Sequence, residues 1–174
     1  MNMDINELER LSDYWDSKKK NQMEQAALYQ KMVDFVQAHD TGVLGTGHGD
    51  TVRCTPVDYA FHDNAFYILS EGGQKFNHLF YNKNVSFAVF HKKEGESSFK
   101  KQHSLQVIGT AELVEPFSEE YNHALEVRHF PLKGIQQLPY TMYLIKIVPK
   151  QMILLDSELK TQELDTRQVW TGKE

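Results

Sequence analysis

The sequence predicts a mainly β fold: an antiparallel barrel of about six strands, closed or nearly closed, with flanking helices. From Gly42 onward, short runs of alternating apolar and polar residues are separated by turn signals such as Gly47-His48-Gly49-Asp50. Helical periodicity is confined to a few segments, and the strands are joined mainly by hairpins, which disfavours a parallel sheet. With 174 residues, the chain has the length of one ordinary domain.

The first forty residues are predicted to be helical. Asn21 followed by Glu24 matches a capping box, and apolar residues recur at helical spacing from Ala26 to Val36. We therefore divide the single domain into a helical segment, 1–40, a barrel, 41–156, and a tail, 157–174.

Turn residues and apolar periodicity together predict the bounds of the individual strands, helices and loops. Two further turns or breaks are expected, at His62-Asp63-Asn64 and at Pro149, and Ser118 has the position of a helix N-cap. Lys92–Gln102 and the segment between Pro131 and Pro139 are predicted to be loops. The strands are Gly42–Thr46, Thr51–Phe61, Ala65–Leu69, Asn84–His91, His103–Val114, and a closing strand of Tyr140–Val148 and Met152–Leu155; the helices are Phe76–Tyr81 and Ser118–His129.

Composition excludes several classes of function. A net charge of −5 lacks the basic excess of a nucleic-acid-binding protein. No run of about 18 apolar residues is present, and the N-terminus is acidic and polar, so we expect a cytoplasmic protein without a membrane span. The single cysteine, Cys54, cannot build a disulfide framework or a thiolate cluster, and we predict a small buried side chain rather than a nucleophile.

The most informative segment for function is Ser70-Glu71-Gly72-Gly73-Gln74-Lys75, which lies between a predicted strand and a predicted helix. A hydroxyl, two glycines, an amide, an ammonium group and a helix N-terminus are the donors that bind a phosphate dianion. An ordinary strand-to-helix loop would use the same residue types. The spacing matches neither a dinucleotide fingerprint nor a nucleoside-triphosphate loop.

A second candidate segment is the return strand of the first hairpin. Alternation places Arg53, Thr55 and Val57 on one face and Cys54 and Pro56 on the other. Because Pro56 cannot donate to a sheet ladder, it marks an edge, a bulge or a point where the backbone faces a ligand. Arg53 as a solvated cross-strand partner and Pro56 as a simple edge residue are the plainer alternatives.

Together these segments resemble the pyridoxamine 5'-phosphate oxidase-like, FMN-binding split-barrel family. The resemblance covers about Phe35 to Glu115. The order of its motifs is Gly42-Val43-Leu44-Gly45-Thr46, Arg53-x-x-Pro56, Phe66-Tyr67-Ile68-Leu69-Ser70 with Lys75, Asn84-Val85-Ser86-Phe87, and Val107-Ile108-Gly109-Thr110-Ala111-Glu112.

The resemblance implies a six-stranded antiparallel split barrel that forms a homodimer with two FMN cofactors between the subunits. Ser70, Gln74 and Lys75 match the positions that hold the FMN phosphate. The residues that match the strand along the isoalloxazine ring and ribityl chain are Arg53, Cys54, Thr55 and Val57. Ser104 matches a position that faces the flavin of the partner subunit, and Gln106 points to the same side of its strand.

The chain departs from the vitamin-processing oxidase at its C-terminus. That enzyme ends with a segment rich in Arg and His that grips the substrate phosphate, whereas Arg167–Glu174 contains one Arg and no His. Pyridoxine or pyridoxamine phosphate oxidation is therefore disfavoured. Trp170 either covers a flavin of the partner chain or anchors the tail to the barrel.

The leading functional hypothesis is an FMN-dependent oxidoreductase that acts on a small molecule, with the cofactor supplying the redox chemistry and no side chain acting as catalyst. A flavin-binding or stress-related protein without turnover is the alternative, and haem or deazaflavin binding on the same barrel are two more. The eight histidines show no metal-binding spacing, and no metal site is expected. Glycosidase-type acid pairs and a serine triad are also disfavoured.

Overall fold

The computed structural model of the chain describes residues 4–91 and 101–172. Part of the predicted loop Lys92–Gln102 lies outside these residues. The helices are α1 Ile5–Ser12, α2 Gln25–Gln37, α3 Gln74–Tyr81, α4 Glu119–Val127 and α5 Leu132–Gln136, with 3-10 turns at Asp16–Lys18 and Ser157–Gln162. The strands are β1 Thr41–His48, β2 Thr51–Asp58, β3 Ala60–His62, β4 Ala65–Ser70, β5 Asn84–His91, β6 His103–Val114, β7 Tyr143–Asp156 and β8 Arg167–Thr171.

All strand pairs are antiparallel, in the order β2-β1-β5-β6-β7-β4-β3, with β8 added alongside β7. The mainly β antiparallel fold with flanking helices is therefore confirmed, with eight strands in the described residues instead of six. β2 forms one edge of this curled sheet and β3 the other.

One additional strand arises because the predicted strand Thr51–Phe61 breaks at Tyr59. The Tyr59 N–H donates to the Asp40 carbonyl at 2.7 Å, and its buried phenol donates to the Val36 carbonyl at 2.8 Å. These bonds hold Tyr59 against the end of α2. They separate β2, which pairs with β1, from β3, which pairs with β4 at the opposite edge of the sheet. Burial raises the pKa of the Tyr59 phenol, so this donor stays protonated.

The barrel core lies inside the curled sheet and is closed by α2. Leu28, Met32 and Val36 recur at helical spacing and are at most 1% exposed, in agreement with the predicted apolar stripe. The predicted capping box is wrong. Glu24 is itself the N-cap, because its carboxylate accepts from the Ala26 and Ala27 N–H groups, and Asn21 contacts the C-terminal segment instead.

The closing strand is continuous, from Tyr143 to Asp156, where two segments are predicted. β7 runs through Pro149 as one strand, and the predicted irregularity is a bulge at this point: Ile108 pairs with Gln151 and Gly109 with Pro149, so Lys150 is an extra residue on β7. A Cβ on Gly109 would lie 2.4 Å from the Val148 carbonyl oxygen, so glycine permits the two backbones to approach.

The tail is folded onto the barrel. β8 pairs with β7, and the Trp170 ring lies 4.8 Å from the Tyr29 ring of α2, so Trp170 anchors the tail within the chain. Gln168 is fully buried, and its side-chain oxygen accepts from the Met23 N–H at 2.8 Å. The expected loop between Pro131 and Pro139 contains the short helix α5, which buries Ile135.

Among the helices of the described residues, none combines the length and the apolar character that crossing a bilayer requires.

Candidate functional site

A cleft of about 680 Å³ opens between β2 and β4, at the place where the sheet is split. Thr55 and Val57 of β2 line one side, and Ser70 lies at the end of β4. The opposite wall comes from α4 and the segment after it. The cleft has the size of a small-molecule binding site, for which roughly 300–1,000 Å³ is typical.

The loop Ser70–Lys75 forms one end of this cleft. β4 ends at Ser70, one residue later than predicted, and α3 begins at Gln74, two residues earlier than predicted. Gly72 and Gly73 adopt φ values of 144° and 101°, which other residues rarely adopt. Gly73 is the N-cap of α3 and has no side chain with which to cap it. The Phe76 N–H donates to the Gly73 carbonyl oxygen at 3.0 Å, which leaves the Gln74 and Lys75 amides for another acceptor.

Lys75 and Ser70 are both folded into this loop and are each 9% exposed. The Lys75 ammonium group donates to the Gly72 carbonyl oxygen. The Gly72 N–H donates to the Ser70 hydroxyl oxygen at 3.3 Å. The loop therefore holds an ammonium group and a hydroxyl at the N-terminus of α3.

Arg53 adds a second positive charge beside Lys75. Burial lowers the pKa of the Lys75 ammonium group, the nearby Arg53 guanidinium lowers it further, and Glu71 opposes the shift. A buried cation facing another cation is unfavourable unless an anion lies between them. The charges of this loop thus favour a bound anion.

The wall formed by α4 was not identified as part of the site from the sequence. Ala124 and Arg128 are four residues apart and share one helix face, but local spacing does not reveal which element that face meets. In the structure Arg128 donates to the Tyr59 carbonyl oxygen and thereby joins α4 to the start of β3. Phe130 and Met142 add apolar surface to the cleft.

Tyr67 also lines the cleft and belongs to a polar network. Its hydroxyl donates to Glu120 at 3.0 Å, and the Lys146 ammonium group lies 2.7 Å from the same carboxylate. Burial and the hydrogen bond to Glu120 raise the pKa of Tyr67 to about 12. The phenol is therefore a hydrogen-bond donor at neutral pH.

The predicted site residues fall into two groups. Thr55, Val57, Ser70 and Lys75 line the cleft itself. Arg53 is exposed but acts on Lys75, and Gln74 is exposed at the first turn of α3.

Cys54, Ser104 and Gln106 form the second group and lie on the outer face of the sheet. Cys54 opposes Gly45 of β1, and Gln106 opposes Ala88 of β5, on the side away from the core. Within one chain these side chains do not reach the cleft, so their predicted contacts with a flavin remain predictions that require a second subunit. Cys54 is exposed, which corrects its predicted burial: β2 is an edge strand whose outer face no described residue covers.

The match to a known family decides the classification. The pyridoxamine 5'-phosphate oxidase family matches residues 30–140, which is more than half of the chain. The chain belongs to this family. Its matched segment contains β1 to β6 and the Ser70–Lys75 loop, so the resemblance predicted from the motifs is confirmed. Among curated proteins, none matches the sequence significantly.

Solved structures with the same fold come from proteins with different roles. A FAD-binding protein from Mesorhizobium loti has a TM-score of 0.57 and 21% identity; the match covers 71% of the present chain and 89% of that protein's chain. HutZ, the haem storage protein of Vibrio cholerae, has a TM-score of 0.61 and 18% identity, and the match covers 72% of the present chain and 92% of the HutZ chain. General Stress Protein 26 from Bacillus anthracis has a TM-score of 0.54 and 20% identity, and the match covers 73% of the present chain and 92% of that protein's chain. At these identities the likeness establishes the fold.

Proposed function

We propose that this member of the pyridoxamine 5'-phosphate oxidase family binds FMN in the cleft between β2 and β4 and acts as an oxidoreductase on a small molecule. The phosphate would lie in the Ser70–Lys75 loop, with the rings along β2. When bound, FMN supplies the electron or hydride transfer, and the chain supplies binding, orientation and electrostatics.

The observation that carries this proposal is the Lys75 ammonium group in the glycine loop at the end of the cleft. Lys75 is almost buried, and the positive charge of Arg53 lowers the pKa of its ammonium group. A ligand without a phosphate would leave both positive charges uncompensated. A phosphate dianion accepts charge-assisted hydrogen bonds from both side chains and from the free amides at the N-terminus of α3. The loop glycines leave the backbone open to it: a Cβ on Gly72 would meet no atom within 4 Å.

The rest of the cleft suits a flavin better than a haem. Apolar side chains from both walls, such as Val57 and Phe130, can contact a flat ring system. Among the described residues, none of those that line the cleft is a histidine that could ligate iron. A deazaflavin would use the same phosphate loop, and the mass of the released cofactor distinguishes it from FMN.

A homodimer is part of the proposal, because the outer face of the sheet carries exposed apolar side chains. Val52 is 89% exposed, Phe90 63% and Ile108 48%. The register of β1, β2, β5 and β6 places Cys54, Ser104 and Gln106 on this same face. A second copy of the chain packed here would cover the apolar residues and bring Ser104 and Gln106 towards the flavin of its partner.

The experiment that tests this function is an absorption spectrum of the untreated protein, followed by mass spectrometry of the released cofactor. We expect a yellow protein that releases one FMN per chain. A colourless protein that takes up no added FMN would contradict the proposal. Stopped-flow mixing with NADH or NADPH then tests the oxidoreductase role: bound FMN should be reduced faster than free FMN, and equal rates would indicate a flavin-binding protein without turnover.

A further inference from the structure

A second cavity, of about 360 Å³, lies between α2 and the sheet and shares no lining residue with the flavin cleft. Three histidines line it, one after α2 and one each from β5 and β6. The acidic lining residues are Asp34, Asp156 and Glu158. Imidazoles and carboxylates around one cavity are the donor set of a divalent metal site.

His103 is the central residue of this cluster. It is paired across the sheet with His91 on β5 and with Asp156 on β7. Its Nδ1 lies 3.4 Å from an Asp156 oxygen, and its Nε2 lies 3.8 Å from a Glu158 oxygen. This Nε2 is buried and has no hydrogen-bond partner among the residues that the structure describes. A buried nitrogen without a partner costs free energy, and a metal ion would satisfy it.

The spacing of the donor atoms suits a metal ion. Ligand atoms bound to zinc at about 2.0–2.2 Å are separated by roughly 3.4 Å in a tetrahedral site. One donor atom from each of His103, Asp156 and Glu158 lies within 4.8 Å of the other two. Glu158 is 58% exposed in its side chain, so it can move the small distance needed to close the site.

The groups around the cluster hold the donors in place. The Lys31 ammonium group lies 3.0 Å from one Asp156 oxygen, and the Glu158 N–H donates to the other at 2.9 Å.

The His39 ring is held by a backbone carbonyl group. Its Nδ1 lies 2.7 Å from the Phe35 carbonyl oxygen, and since a carbonyl only accepts, Nδ1 is the donor and Nε2 is the nitrogen not engaged in this bond. The His39 and His91 rings lie 5.0 Å apart at the same cavity.

We propose that His103, Asp156 and Glu158 bind a divalent first-row transition metal ion such as Zn²⁺, with His39 and His91 available as further ligands. The spacing of these residues in the sequence does not reveal the site, because His103 lies on β6 and becomes a neighbour of Asp156, at the end of β7, and of Glu158, in the turn after it, only through strand pairing. The ion would join the start of the tail to the barrel, and would therefore stabilise the folded chain increasingly as its concentration rises above the dissociation constant.

The test is isothermal titration of tag-free, chelator-treated protein with Zn²⁺, comparing the wild type with His103→Gln and Glu158→Gln. We expect one saturable ion per chain in the wild type and an affinity at least about tenfold lower in each variant. His123→Gln is the matched control, because His62, Asp63 and His123 form a second histidine and acid cluster. It should leave the affinity unchanged.

Three results would overturn the proposal: no saturable Zn²⁺ binding by the wild type, an unchanged Zn²⁺ affinity in both His103→Gln and Glu158→Gln, or a loss of Zn²⁺ affinity in His123→Gln alone. The melting temperatures of the metal-free variants show whether they fold. Should His103→Gln fail to fold, Glu158→Gln decides, since the exposed Glu158 side chain is not part of the core.

Discussion

Replacing Lys75 with alanine is expected to lower the affinity for FMN about 10- to 150-fold, which corresponds to roughly 1.5–3 kcal/mol. Lys75 is 9% exposed, and its ammonium group donates to the Gly72 carbonyl oxygen in the glycine loop at the N-terminus of α3. In the proposed complex it forms a charge-assisted bond to the phosphate, and alanine leaves only Arg53 to offset the dianion. Titration of the apoprotein with FMN, followed by flavin fluorescence, gives the dissociation constant.

The matched control for this variant is Lys83→Ala. Lys83 is exposed two residues after the end of α3, so its replacement removes the same charge without touching the loop. We expect Lys83→Ala to bind FMN like the wild type. The apoprotein of Lys75→Ala should be no less stable, because burial beside Arg53 disfavours the charged Lys75 side chain. An unchanged dissociation constant in Lys75→Ala would remove this residue from the site.

Replacing Ile108 with glutamate is expected to convert the proposed homodimer into monomers and to weaken FMN binding at least about tenfold. Ile108 lies on the outer face of β6, two residues after Gln106 and on the same face, and is 48% exposed in the single chain. A carboxylate buried at a subunit interface without a partner costs several kcal/mol. Light scattering coupled to size-exclusion chromatography measures the assembly state.

Leu8→Glu controls for the charge. Leu8 is 50% exposed on α1, so the same substitution at similar exposure should leave a dimer. A dimeric Ile108→Glu protein would contradict the assignment of this face. A monomeric variant with normal FMN affinity would show that one chain forms the complete site, and would remove Ser104 and Gln106 from it.

Local sequence signals predicted most of the barrel. The bounds of β5 and β6, the β1–β2 hairpin and the Ser118 N-cap agree with the structure, because alternation and turn chemistry act within a few residues. The turn at Asp63 and Asn64 adopts positive φ at both residues, as a tight hairpin requires.

What the sequence missed depends on contacts between distant segments. β8 was predicted as a polar tail, and it is a strand because β7 offers it an edge and Trp170 packs on Tyr29. The break at Tyr59 depends on two carbonyl groups at the end of α2 and just after it. For the site, the loop from Ser70 to Lys75 could be read from its residue types, whereas the wall from α4 could not, since only tertiary packing places it opposite β2.

The most direct test of the central claim compares FMN with riboflavin, which lacks the phosphate, in the wild type and in Lys75→Ala. If the phosphate lies in the Ser70–Lys75 loop, the wild type binds FMN more tightly than riboflavin by at least about tenfold, and Lys75→Ala removes most of that difference while binding riboflavin like the wild type. Equal affinity of the wild type for both ligands, or a preference for FMN that Lys75→Ala leaves intact, would contradict the account.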